Sequence, residues 1–229
     1  MTSQTSEALR RQRWLNRGVY VPRHFAENDP NVLRNAIRSI GAGHLITVGD
    51  ATPLATFMPF VLSDDATTLT GHIAKGNQQW KLTAAGSAAI VCWVGPHAYI
   101  SPSHYATKTE TGRVVPTWDY IAIQAQGTVT FHDDPTWLRE QVTALTDSHE
   151  AARAQPWALD DAPADYVEAQ LRGIIGVTFH VTSLQGAWKL SQNKSEADIS
   201  GVLHGLTQEA TASAIATAAA IKERTERTR

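Results

Sequence analysis

Cysteine is all but missing from this chain. Cys92 is the single thiol in 229 residues, so no intramolecular disulfide can form, and its place in the apolar run AAIVCWV points to a buried, inert side chain. Neither sign of charge is in excess. Twenty Lys and Arg stand against 22 Asp and Glu, a net charge of −2 with a pI near 6.5. The chain as a whole therefore lacks the positive field that draws proteins onto nucleic acid or acidic membranes. Long hydrophobic runs are missing too. The N-terminal MTSQTSEALRRQRW has no apolar core of a signal peptide, and no run approaches the ~20 apolar residues of a membrane span. Cytoplasm is the default location, with no membrane partner.

Signatures of the common chemistries are also missing. The nine His show neither H-E-x-x-H nor Cys/His pairing, which argues against a metal site. There is no G-x-S-x-G elbow, and Cys92 in an apolar strand is a poor nucleophile, so no catalytic residue is assigned. The Walker and G-x-G-x-x-G patterns are absent, which removes the P-loop and Rossmann sites. What remains is ordinary globular composition, 42% apolar with seven Trp. No Pro/Gly/Ser-rich linker cuts it, so residues 1–229 read as a single domain with a helical C-terminal tail at 207–229.

Local patterns predict the elements. Asp29 followed by Pro30 opens a helix over 29–40 with Val32, Leu33, Ala36, Ile37 and Ile40 on one face, ending near Gly41. Two apolar runs separated by Gly49 and Asp50 predict a hairpin, and Pro59 in the second belongs at an edge or a bulge. The stretch IAIQAQGTVTF alternates, with Ile121, Ile123, Ala125, Val129 and Phe131 on one side, which predicts a half-exposed antiparallel strand. IIGVTFHV behaves likewise, whereas SAAIVCWVG reads as a more fully buried strand. A second Asp-Pro pair, Asp134 and Pro135, starts a helix with Trp137, Leu138, Val142 and Leu145 inward. Strands cluster without strict β-α-β alternation, so a mainly β (α+β) fold, an antiparallel barrel with peripheral helices, fits better than a parallel sheet.

Three stretches carry chemistry. In GHIAKGNQQWKL, His72 and Lys75 lead into a turn at Gly76. The group reads either as an anion site built from an ammonium, an imidazole and backbone amides, or as a solvated turn before an amphipathic helix. YISPSHYATKTETGRVVPTWDY has the look of a mobile loop, with a polar excursion over 107–113 and aromatics that either stack on a flat ring or pack the loop down. GAWKLSQNKS supplies Lys189, Ser191, Gln192 and Asn193, donors suited to carbonyl and phosphate oxygens. The basic cluster Arg10, Arg11, Arg13 and Arg17 suits phosphate backbones or a solvated helix face.

With HIAKGNQQW, AYISPSHY, VPTWDY and WKLSQNK in this order, the chain resembles the PaiB-type family of FMN-binding proteins from about Tyr20 to Leu206, leaving residues 1–19 as an N-terminal extension. The resemblance implies an FMN-binding split β-barrel, usually a homodimer with two FMN sites at the subunit interface. It implies that Thr56 and Met58 flank the isoalloxazine ring and that His72 and Lys75 hold the phosphate. Trp118, Lys189, Ser191 and Gln192 would close the site from the same or the partner subunit. Two positions depart from the family's commoner residues: His104, where Trp is usual, and Asp119, where Asn is usual. Trp80-Lys81-Leu82 and Trp188-Lys189-Leu190 are then not a repeat, since their flanks share no register; they would be two polar turns around one cofactor.

The resemblance implies a negative transcriptional regulator acting through DNA or a protein partner. Two alternatives stay open. One is an FMN-dependent oxidoreductase of the flavin-reductase or pyridoxamine-phosphate-oxidase kind, using NAD(P)H and a small-molecule acceptor. The other is a haem-binding split barrel with His72, His97 or His104 as axial ligand.

Overall fold

Both Asp-Pro pairs start helices where expected. The computed structural model describes residues 20–49 and 52–228; the cluster Arg10, Arg11, Arg13 and Arg17 and the turn residue Asp50 fall outside them. The principal elements are β1 (Ala26–Glu27), α1 (Pro30–Ile40), β2 (Ala42–Gly49), β3 (Thr52–Pro59), β4 (Val61–Leu62), β5 (Thr68–Ala74), α2 (Gln79–Leu82), β6 (Ser87–Ile100) and α3 (Thr107–Thr111). They continue with β7 (Thr117–His132), α4 (Pro135–Glu150), α5 (Ala164–Leu171), β8 (Ile174–Lys189), α6 (Glu196–Glu209) and α7 (Ala212–Thr228). The Asp29 carboxylate accepts from the Asn31 amide at 2.8 Å, and the Asp134 carboxylate accepts from the Trp137 amide at 2.8 Å, the side-chain caps that make Asp-Pro a start signal. Among the described residues no helix is long and apolar enough to cross a membrane.

The chain groups into two compact units, one of residues 34–93 and 124–184, the other of residues 20–33, 94–123 and 185–228. In the first, the strand order is β3-β2-β6-β7-β8-β5-β4. β2 and β3 form the expected antiparallel hairpin, with Gly49 opposite Thr52 and Pro59 opposite Ala42. Pro59 therefore sits on an edge strand, where its missing N–H deprives no neighbour. Leu45, Leu69, Val91, Trp93, Ile175, Val177 and Phe179 form its core, and Leu138, Leu159, Val167 and Leu171 pack a second apolar cluster along the helices.

Two strands exchange the burial that their sequences predict. β6 alternates, with Ala89, Val91 and Trp93 buried while Ala88 and Val94 are exposed. β8 is instead buried on both faces from Ile175 to Phe179. Trp137 of α4 is the reason. Its indole lies so close over Gly176 that a Cβ there would collide with it. It also stacks on His132 with centroids 4.3 Å apart, and His132 Nε2 bonds the Thr178 hydroxyl at 2.8 Å. Cys92 is half-buried, and burial pushes its thiol above the usual range.

In the second unit, β1 pairs with the end of β8 through Ala26 and Ala187. The polar excursion at 107–113 is not a loose loop: it winds into α3. Asp198 of α6 accepts from the Thr107 amide at 2.9 Å and hydroxyl at 2.8 Å, and these bonds hold its carboxyl below the usual range. α3 ends on Gly112 at φ 66°, a left-handed cap that glycine adopts without strain. The helical tail is two helices, not one, because the chain turns at Ala210 with φ 53°. Glu27, 6% exposed, fastens α7 by accepting from Arg224 at 2.7 Å.

The second unit also shows why α6 carries Gly201 and Gly205. A Cβ on Gly201 would run into the His104 carbonyl oxygen, and one on Gly205 would enter the His104 ring. A helical Gly→Ala change ordinarily stabilises by up to about 1 kcal/mol. Here Gly201→Ala should instead destabilise by roughly 1–3 kcal/mol through overpacking against backbone. Guanidinium unfolding of the two proteins checks this, and a stabilised variant would contradict the packing.

Candidate functional site

The turn after β5 is organised by one buried amide. Gln79, 2% exposed, donates through Nε2 to the Leu45 carbonyl at 3.2 Å and the Thr47 hydroxyl at 3.0 Å. Its Oε1 accepts from the Thr56 hydroxyl at 2.5 Å. The Asn77 amide donates to that same hydroxyl at 2.8 Å, and the Asn77 oxygen receives the Gln79 amide N–H at 2.9 Å. These bonds tie α2 to β2 and β3 and fix Thr56 in place. Met58, by contrast, is 3% exposed and belongs to the core over Gly71.

Lys75 grips both oxygens of Asp133 at 2.9 and 3.1 Å. Both side chains are largely exposed, so the pair is worth about 0–1 kcal/mol and its ammonium is readily exchanged onto a stronger anion. Beside it lies a cavity of about 430 Å³ lined by Lys75, Asp133, Leu138, Arg139, Leu171 and Arg172. His72 bonds the Gln141 oxygen through Nδ1 at 2.7 Å. The Gln141 Nε2 is buried without a protein acceptor. The cations around the cavity, Lys75, Arg139 and Arg172, are chemistry that fits a phosphate.

The second unit holds the other predicted residues. Lys189 donates to the Thr117 hydroxyl at 2.8 Å, the Trp118 carbonyl at 2.5 Å and Asp119 Oδ1 at 3.3 Å. An ammonium has three hydrogens, so every donor is engaged. Asp119 is 0% exposed, and its Oδ2 accepts from the Ser191 hydroxyl at 2.6 Å. Burial pushes the Asp119 carboxyl up, against the opposing pull of the Ser191 hydroxyl and the Lys189 ammonium. Ser191 sits at φ 56°, a left-handed conformation that costs a non-glycine residue roughly 1–3 kcal/mol and persists only when its surroundings demand it. Gln192 braces the turn instead of facing out, donating to the His24 carbonyl at 2.9 Å and the Trp188 carbonyl at 2.5 Å.

Above this cluster Trp118 is 49% exposed. Its indole N–H donates to His97 Nδ1 at 3.3 Å, the two rings are stacked 5.9 Å apart, and Tyr99 lies 6.1 Å away. An exposed aromatic ring on a segment pinned by a fixed cation suits a flat, electron-accepting ring. Of the candidate haem ligands, His72 and His97 are hydrogen-bonded through Nδ1, to Gln141 and to Trp118, and His104 packs on Gly205 with Nε2 3.5 Å from Glu209. The structure thus gathers Thr56 with Asn77 and Gln79 in one unit, and Trp118, Lys189 and Ser191 in the other. Gln79, Asn77, Thr117, Asp133 and Gln141 were not among the predicted site residues. The first two lay inside the quoted GNQQ motif, whereas nothing local marks Asp133 or Gln141, which reach the turn from α4 and the strand end before it.

The comparisons with known proteins bear on these groups. The family model described as "Putative FMN-binding domain" matches residues 19–183. "Protease synthase and sporulation protein PAI 2" of Bacillus subtilis is 33% identical over 193 residues, covering 83% of this chain and 90% of its own length. An uncharacterised protein of Aspergillus fumigatus is 33% identical over 254 residues, covering 90% and 97%. Among solved structures, the FAD and heme binding protein from Mycobacterium smegmatis aligns with a TM-score of 0.55 at 16% identity over 76% of this chain and 78% of its own. The flavocytochrome Anf3 from Azotobacter vinelandii aligns with a TM-score of 0.53 at 11% identity over 81% and 80%. At such identities the likeness speaks to fold alone, and that fold is the expected antiparallel split barrel with peripheral helices.

The buried cluster makes two measurable demands. Ser191→Ala keeps the strained backbone and removes the hydroxyl from a buried carboxylate, which should cost about 1–3 kcal/mol in guanidinium unfolding; an unchanged midpoint would contradict the contact. For Asp119 the folded pKa lies above the ordinary 3.8. The folded chain then keeps its proton just above pH 3.8, where the unfolded chain has lost it. Its contribution is full below 3.8 and is lost as pH rises through the folded pKa. The stability difference between wild type and Asp119→Asn should change across that window, and a carboxyl ¹³C titration with its midpoint at or below 3.8 would contradict the assignment.

Proposed function

We propose a function from one premise: the chain belongs to the PaiB-type family of FMN-binding proteins, and FMN is its cofactor. On that premise it is an FMN-binding homodimer, located in the cytoplasm, that acts as a negative regulator of transcription. The observation that carries the cofactor reading is the half-exposed Trp118 ring, flanked by His97 and Tyr99, on a segment whose carbonyl is held by the Lys189 ammonium. Lys75 and His72 take the phosphate of one FMN. Trp118 and Lys189 of the partner subunit approach its ring, Ser191 supports them from behind through Asp119, and Thr56 flanks the ring from the strand that also carries Met58. FMN supplies reversible electron uptake when bound. The protein's part is to hold the phosphate end, to present a fixed cation to the ring and to exclude water from the cluster behind it.

Val48 and Phe57, 60% and 65% exposed on the β2–β3 hairpin, support a second copy covering that edge. The regulatory part is supported by the name of the Bacillus relative, which ties that protein to protease synthesis and sporulation. A net charge of −2 favours action through a DNA-binding or other protein partner over direct base reading. The exposed rings of Trp118 and Tyr99 favour one further reading, an FMN-dependent oxidoreductase that uses NAD(P)H and a small-molecule acceptor, for which bound FMN would supply the redox chemistry.

Fluorescence titration with FMN tests the site. Lys75→Ala should weaken binding by about 10- to 100-fold, the loss of a charge-assisted contact of about 1.5–3 kcal/mol, and Lys189→Ala should weaken it by releasing the Trp118 segment that the ammonium pins. Wild-type affinity in both would contradict the site. Sedimentation should give a dimer at micromolar concentration; a monomer would remove the shared-site arrangement. Steady NAD(P)H consumption by the flavin-loaded protein would favour the oxidoreductase over the regulator.

A further inference from the structure

We propose that Asp119 sets the reduction potential of the bound flavin by offsetting the charge of Lys189. The inference rests on the reading that places Lys189 beside the flavin ring, and it concerns what that cation presents to the ring.

Two features of the cluster carry it. First, the ammonium is immobile. Its hydrogens are shared among Thr117, the Trp118 carbonyl and Asp119, so it cannot turn towards a ligand without breaking a bond to protein. Second, its counter-charge is fully desolvated. Asp119 is 0% exposed, and its other oxygen is pinned by the buried Ser191 hydroxyl, which the left-handed backbone aims at it. A lone cation at the edge of a flavin favours the reduced ring, which carries the added negative charge. With a carboxylate 3.3 Å behind it, the cation acts on the ring as half of a dipole, whose influence falls off faster than that of a free charge. The pair therefore anchors the Trp118 segment while giving up most of Lys189's power to stabilise the reduced flavin. Asn at this position would leave the ammonium uncompensated. Asp119 thus makes the flavin of this chain the stronger reductant.

The test is a spectroelectrochemical titration of FMN-saturated wild type, Asp119→Asn, Lys189→Met and the double variant. Dithionite, oxidised to sulfite, supplies the electrons, and water supplies the proton taken up by the ring. Asp119→Asn should raise the midpoint potential, with reduced flavin gaining on the order of tenfold in relative affinity, about 30 mV for a two-electron couple. Lys189→Met should lower it, and the double variant should return close to wild type because both charges leave together. Melting temperature and flavin stoichiometry verify each fold. If Asp119→Asn alone fails to hold flavin, the double variant, which buries no unpaired ion, decides. A double-variant potential displaced as far as that of Lys189→Met would overturn the proposal. A wild-type potential in Asp119→Asn together with a lowered one in Lys189→Met would also overturn it while leaving the ring beside Lys189. Wild-type potentials in both, with flavin stoichiometric, would remove the ring from Lys189 and the inference with it.

Discussion

A carboxylate with no access to water is the constraint around which the second unit is built. Burying an ion costs several kcal/mol even after relaxation, and the cost is met only by good geometry with a partner and further hydrogen bonds. Asp119 receives both, from Lys189 and Ser191. That requirement explains the otherwise unfavourable backbone of Ser191, and it explains why Lys189 also clasps the Trp118 carbonyl instead of reaching into solvent. The half-exposed Trp118 ring inherits its position from this arrangement. Gln192 then closes the turn by bonding the backbone on both sides of it. Strain, charge and aromatic presentation in this unit follow from one buried group.

The first unit solves a comparable problem without charge. Gln79 is buried at the start of α2, a helix of a single turn, and a lone amide there would leave polar atoms unsatisfied. Its bonds to Leu45, Thr47 and Thr56 satisfy them and knit two strands to the turn. The rigid amide network stands next to an exchangeable surface pair, Lys75 with Asp133. This is a sensible division of labour for an anion site: the frame is fixed by neutral bonds, and the cation is held loosely enough to be transferred to a ligand.

Much of the architecture was legible in the chain because its signals are local. Asp-Pro caps, the paired apolar runs around Gly49 and the alternation from Ile121 to Phe131 each act within a few residues, and each element formed where those signals placed it. Burial of β6 and β8 was not legible. The apolar run around Cys92 alternates in the fold, while Gly176 and Thr178 are covered by Trp137 and His132, contacts that no spacing within the strand encodes. The helical turn at 107–111 depends in the same way on Asp198, ninety-one positions away. At the site, the donors of the GNQQ and SQNK stretches were readable as types. Their roles were not, because the acceptors that saturate Lys189 and the amide that holds His72 come from distant segments. Asp119 was visible only as a departure from a family pattern, and its burial is what gives that departure meaning.

Whether this chain holds FMN is read from a visible absorption spectrum of the purified protein. Recorded after FMN is added and the excess removed, it should show flavin bands at one FMN per chain. A spectrum without retained flavin would contradict FMN binding by this chain.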